Sequence, residues 1–298
     1  MGHAPFDFGS RWHTMKKRTR KVALLLAITG AIYGCGGTDP VAADASTGGG
    51  CPAGRGPSMV LVKSADSVSF CMDSTEVTKD QYDAFVASGE RPATLRPACD
   101  ANKDFKSPAE CLAFTPACTG PGCGKRPQVC IDYCDAEAFC AWSGKTLCGT
   151  ADGKELSQQD LQSPWTTVWA RACRGLTSPS DKGTTFSYGD TFEPETCNAG
   201  SGCKGAPDSC HPTEAGSLPK CQSRGAYQGI YDLTSNVGEF LFSVLKVDAF
   251  ELAQAGGGDF RNYPANEVDG CSYGRGGAGI PLDKATEYTG FRCCATPK

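Results

Sequence analysis

Nineteen cysteines in a chain of 298 residues constrain this fold more than any other feature. In an exported chain such a density reads as a covalent framework, which small or irregular folds use where a regular apolar core falls short. An odd count asks for a separate role for one thiol. Two of the sulfurs, Cys293 and Cys294, are adjacent in "TGFRCC". Neighbouring cysteines rarely bridge each other, because the small ring strains the bond, so each needs a partner elsewhere.

The N-terminus offers the role for the odd thiol. "MKKRTRK" (15–21) is a basic run, "VALLLAITGAIY" (22–33) is apolar, and Gly34 precedes Cys35. The apolar run is signal-like and short for a bilayer span. The ending "IYGC" resembles the lipobox of bacterial lipoproteins, which implies that residues 1–34 are removed and Cys35 is lipidated. Met15 is a candidate start, since residues 1–14 contain none of this pattern. Setting Cys35 aside leaves eighteen cysteines, an even number suited to full pairing.

Counting excludes several chemistries. No C-x-x-C occurs beyond Cys35, and only His211 lies beyond the signal, so a histidine-rich metal site or a zinc ribbon is not expected. His211 sits in a turn-rich stretch and reads as a loop residue rather than a triad member. Residues 1–34 carry six Lys/Arg and one Asp, and removing them takes the formal charge from −4 to −9. An acidic surface argues against nucleic acid as a partner.

Residues 35–57 are rich in Gly, Ala and Pro and read as a flexible tether. Residues 58–298 read as one domain. Strands are expected at 59–62 and 68–73. Thr78 and Gln81 form a capping box before a helix with Tyr82, Phe85 and Val86 on one face. Residues 89–129, rich in Pro, Gly and Cys, read as a long stapled loop. A second helix is expected from Asp132 or Asp135 to Gly144, and a third from Ser163 to Gly175 that buries Trp165, Val168, Trp169 and Ala172. The acidic residues Asp132, Asp135 and Glu137 suit a helix start better than acid–base work. The second half is expected to be loops and short strands.

Seven segments in order, "FCMDSTEVTKDQYDAFV", "DAEAFCAWSGKTL", "WARACRG", "FSYGD", "GIYDLTSNVGEF", "GGGDFRN" and "TGFRC", resemble the formylglycine-generating enzymes, or sulfatase-modifying factors. The resemblance spans residues 58–298. It implies an irregular, loop-rich α+β fold related to C-type lectins. It also implies a Cys173–Cys293 disulfide, and leaves Cys294 to another partner, for which Cys71 is the candidate.

Active members of that family oxidise a sulfatase cysteine with copper held by two cysteines. Cuprous copper needs such soft ligands. Here the two ligand positions fall on Asn262 and Glu267. The serine of the family's GGS is Asp259, a tryptophan is Gly238, and the asparagine before GFR is Tyr288. The resemblance therefore implies a chain without the copper site. Calcium is expected instead, since Asp232 and Glu239, with the Ser235 and Val237 carbonyls between them, match a structural calcium loop of the family. A second calcium site would use Asn198, Ala199, Asp208 and Cys210.

Two functions remain open on these grounds. One is a lipid-anchored, non-catalytic binding protein of the cell envelope, whether outer membrane or cell surface, that takes a peptide, a glycan or a protein. The other is an enzyme of altered chemistry using Asp259, Asn262 and Glu267, or Cys271.

Overall fold

The computed structural model describes residues 50–298 apart from 65, 94, 114–117, 119, 200–209, 262–269 and 274–278. Cys35 and the whole signal-like segment lie outside the described residues. Strand β1 (Met59–Lys63) pairs antiparallel with β2 (Ser69–Asp73). Helix α1 (Lys79–Ser88) follows, with the expected capping box between Thr78 and Gln81. It stops at Gly89, whose φ of 65° is the left-handed conformation that a helix C-cap requires. The stapled loop holds a short α-helical turn, α2 (Ala109–Leu112), between two 3-10 turns, and then α3 (Tyr133–Trp142) follows its N-cap Asp132, where a second capping box links Asp132 and Asp135.

After β3 (Thr146–Leu147) the third helix, α4 (Val168–Arg174), begins at Thr167, later than its sequence pattern suggests. Pro164 and Trp165 precede it. Trp165 is half-buried under the Arg171 guanidinium, 3.9 Å from its ring, instead of in the core. Trp169 is fully buried as expected. The remainder supplies β4 (Gly238–Val247), β5 (Phe250–Gly256), β6 (Ile280–Pro281), β7 (Thr289–Phe291) and β8 (Cys293–Ala295). They form two four-stranded sheets, ordered β1-β2-β8-β3 and β6-β5-β4-β7. All pairings are antiparallel except β4 with β7. No described helix is long and apolar enough to cross a membrane.

The adjacent cysteines lie on β8, where successive side chains point to opposite faces. Cys293 therefore joins the cluster of Tyr82, Phe85, Phe139 and Phe291 and bonds Cys140 of α3. Cys294 enters the opposite cluster with Met72, Val168 and Trp169 and bonds Cys148, just after β3. One strand thus staples two cores. The pairing expected from the resemblance and the one suggested for Cys294 are both corrected. Cys173 bonds Cys271, not Cys293, and Cys71 bonds Cys51, not Cys294.

The Cys51–Cys71 bond also moves the edge of the folded body. Residues 50–57 were expected to belong to the tether, yet they are tied to the domain. The Arg55 guanidinium stacks 4.3 Å from the Trp142 ring and pairs with Glu90. Lys145 Nζ donates to the Pro57 carbonyl, and the Lys298 N–H to that of Gly50. Cys99–Cys134, Cys111–Cys130 and Cys118–Cys123 staple the long loop as its composition suggests, and Cys197–Cys221 closes a later one.

Candidate functional site

The loop entering β4 turns twice through left-handed backbone, at Asp232 (φ 66°) and Asn236 (φ 83°). Asp and Asn tolerate that region better than most residues. The second turn makes Asn236 a hub that sequence reasoning missed. Its Oδ1 accepts from Asn198 Nδ2 (3.0 Å), the Thr213 N–H (3.0 Å) and Thr213 Oγ1 (3.3 Å). Its Nδ2 donates to Glu76 Oε1 at 3.1 Å, and its carbonyl accepts from the Phe260 N–H. The run Thr234-Ser235-Asn236, turn-forming residues just ahead of a strand, is the signal that could have found it.

Glu239 does not face outward to an ion. Arg292 Nε and Nη2 donate to its two oxygens at 2.7 Å each, and Trp169 Nε1 donates to Oε2 at 2.9 Å. Arg292 also donates to the carbonyls of Asp73 and Tyr231. Both ion-pair partners are about 1% exposed. Burial alone would lower the Arg292 pKa, but Glu239, followed by Glu76 and Asp232, holds it above its ordinary value.

Asp232 Oδ2 accepts from the Gly216 N–H at 2.6 Å. Burial raises its pKa to about 6, against the pull of that hydrogen bond and of Arg292. Glu76 is raised well above the carboxylate range, by burial first and then by the Asp232 charge, and its Oε2 is buried without a hydrogen-bond partner.

A calcium ion set between Asp232 and Glu239, with the carbonyls of Ser235 and Val237, does not fit this arrangement. It would share a carboxylate that already accepts three hydrogen bonds from a guanidinium and an indole. Among the described residues no group of three or more His, Cys, Asp or Glu is placed to hold a metal. At the second expected site, the Asn198 amide donates to the His211 carbonyl and to Asn236, Ala199 is buried and Cys210 is disulfide-bonded. Asp208 lies outside the described residues.

The positions that the resemblance equates with the copper site are described only in part. Asn262 and Glu267 lie outside the described residues. Asp259 accepts from Arg261 Nε (3.1 Å) and Nη2 (3.2 Å). The same guanidinium stacks 3.5 Å from the Tyr288 ring and donates to Glu287. Two of the substituted positions, Asp259 and Tyr288, are thus joined through one arginine. Gly238 starts the parallel pairing of β4 with β7, and its N–H donates to the Tyr288 carbonyl. All seventeen described cysteines are disulfide-bonded, Cys271 included.

A cleft of about 380 Å³ opens between α1 and the stapled loop. Tyr82, Val86, Phe105, Leu112 and Val129 line it, with Lys79, Lys106 and Arg126 among the charged residues. The Tyr82 hydroxyl donates to the Phe105 carbonyl and fixes one wall. A second cavity of about 400 Å³ shares Cys118, Cys123, Arg126 and His211 with the first and adds Thr213, Glu214 and Ser217.

These features define a cysteine-stapled α+β body, folded around a buried Glu–Arg pair, with a cleft at its stapled loop. Residues 48–297 match the Sulfatase-modifying factor enzyme 1-like domain, and the chain belongs to that family. Among curated proteins it is similar to the "Inactive C-alpha-formylglycine-generating enzyme 2" of Bos taurus. Identity there is 27% over 194 residues, covering 61% of this chain and 56% of that protein. The Mus musculus protein of the same name is 27% identical over 197 residues, covering 62% and 55%. The chain thus spans about half the length of these relatives. Among solved structures, that of CarF has a TM-score of 0.48 at 19% identity, covering 82% of this chain and 96% of that one. PvdO from Pseudomonas aeruginosa has 0.47 at 18%, covering 80% and 92%.

Proposed function

We propose that this chain is a non-catalytic member of its family, exported, anchored by lipid on Cys35, and acting as a binding protein at the cell envelope. The observation that carries the reading is the state of the sulfurs. Every described cysteine is spent in a disulfide, so none of them supplies a thiolate to a redox metal. Asp259, standing where the resemblance puts a serine, is held in an ion pair with Arg261. The relatives named above carry the word inactive, which agrees with this reading. The disulfide density suits an oxidising compartment.

The test incubates the purified domain with a sulfatase-type cysteine peptide and cuprous copper, and reads aldehyde formation by mass spectrometry. No conversion is expected, together with no free thiol in the denatured, unreduced domain. Aldehyde product would overturn the reading. For the anchor, the full chain with Cys35→Ser, expressed in a Gram-negative host, is expected to move from the membrane to the soluble envelope fraction. Unchanged membrane association would remove the lipid.

A further inference from the structure

The cleft beside α1 combines an apolar floor with a positive margin on a protein whose formal charge is negative. Leu112 of α2 is 47% exposed at its edge, and exposed large apolar side chains grouped in a concave site mark binding surfaces more often than isolated ones do. Of the three cations, Lys79 is neutralised by Asp83 one helical turn on. Lys106 and Arg126 have no carboxylate partner among the described residues. Arg126 is fixed at its backbone, donating to the Cys123 carbonyl and accepting from the Lys79 N–H, so its side chain is presented from a rigid point.

The second cavity continues from the first through Arg126, His211 and the Cys118–Cys123 bridge. The two adjoin at these residues as one trough, lined largely by apolar side chains in the first part and by polar ones in the second, with Arg126 at the junction. Two adjoining cavities of about 380 and 400 Å³ with this change of polarity suit an extended chain better than a single small molecule.

We propose that this trough binds an extended acidic peptide segment, seating an apolar side chain against Phe105 and Leu112 and a neighbouring carboxylate on Arg126. The proposal rests on the binding-protein reading above and adds the class of ligand. The guanidinium can meet a carboxylate in a two-pronged contact, and Lys106 adds a second positive charge. Because Lys106 is exposed and Arg126 only half-buried, binding is salt-sensitive.

The experiment titrates the intact domain into a fluorescein-labelled hexapeptide of alternating leucine and glutamate and reads anisotropy at low and high salt. A lysine–leucine peptide and free octanoate are the competitors. Saturable binding of the acidic peptide is expected, weakened at least tenfold by high salt and by Arg126→Glu, and lost in Leu112→Asp. Leu112 is exposed and Arg126 half-buried, and unchanged melting temperatures verify folding. No binding, equal binding of the lysine peptide, or indifference to Arg126→Glu would overturn the proposal. Displacement by octanoate as effective as by unlabelled peptide would overturn the peptide assignment. So would a concentration-dependent dimer, abolished by Leu112→Asp, because a second copy would then be the occupant. These outcomes leave the aldehyde and thiol results untouched, so failure of the ligand class and failure of the non-catalytic reading are told apart.

Discussion

Glu239→Gln separates the calcium expectation from the ion pair that the structure shows. The side chains of Glu239 and Arg292 are each about 1% exposed, joined by two hydrogen bonds of 2.7 Å, with Trp169 completing the carboxylate. Replacing the carboxylate by an amide leaves a buried guanidinium without its paired carboxylate, hydrogen-bonded to the carbonyls of Asp73 and Tyr231 and with Glu76 and Asp232 as its remaining acidic neighbours. Breaking such a pair on one side costs roughly 3–5 kcal/mol. That is a large share of a typical stability of about 5–15 kcal/mol. Arg292→Met carries a penalty of the same order and sign. The double variant Glu239→Leu with Arg292→Met removes both charges and is expected to lose much less than the sum of the singles. Guanidinium denaturation without reductant, with calcium or with chelator, is the assay. The expected losses are equal in the two buffers. A loss of under ~1 kcal/mol for Glu239→Gln would refute the buried-pair reasoning. A stability that calcium raises in the parent and not in the variant would restore the calcium site.

Other consequences follow from burial. Asp73 and Asp232 have their pKa values raised to about 6 and Asp135 to about 7, each by burial first; the Lys145 ion pair only partly offsets this at Asp73. The folded state therefore holds protons that the unfolded chain has released by about pH 5. Their contribution is full at acid pH and is lost as pH rises through 6 to 7, by up to ~3 kcal/mol for a two-unit shift. The melting temperature is expected to be higher at pH 5 than at pH 8 at constant ionic strength, and the opposite order would show that the exposed carboxylates dominate. Cys140–Cys293 and Cys148–Cys294 close nearly the same loop, of 153 and 146 residues. Each alone would be worth ~5 kcal/mol in the chain-entropy model, but with one present the other closes little further chain. Cys140→Ala with Cys293→Ala should thus lose well under that amount in denaturant titration, and a full loss would contradict the shared-loop argument. At Gly290 a methyl group would lie 2.7 Å from the Gln128 carbonyl oxygen. Gly290→Ala is expected to destabilise by ~1–3 kcal/mol, and a neutral result would mean that the Gln128 backbone yields freely.

Local signals carried the early elements well. The two capping boxes are short-range hydrogen-bond patterns written in adjacent residues, and both helices begin where Thr78 and Asp132 place them. The start of α4 was less legible, because Ser163 and Pro164 mimic a helix entry whose first turn is instead an Arg171-stacked segment around Trp165. The cleft was not legible at all: Tyr82, Phe105, Leu112 and Val129 are brought together by the stapled loop and have no common period.

The residues alone determined that this is a cysteine-rich, disulfide-stapled α+β chain of the sulfatase-modifying-factor type. Composition and ordered local motifs suffice for that, since each is a property of neighbouring residues. Which sulfur meets which was decided only in three dimensions. Alternation along β8 sends Cys293 and Cys294 into opposite cores, and the partners waiting there are set by how α3 and β3 pack. The fate of Glu239 was likewise decided by Arg292, 53 residues away in the chain, because a buried carboxylate takes whichever positive charge the packing brings to it.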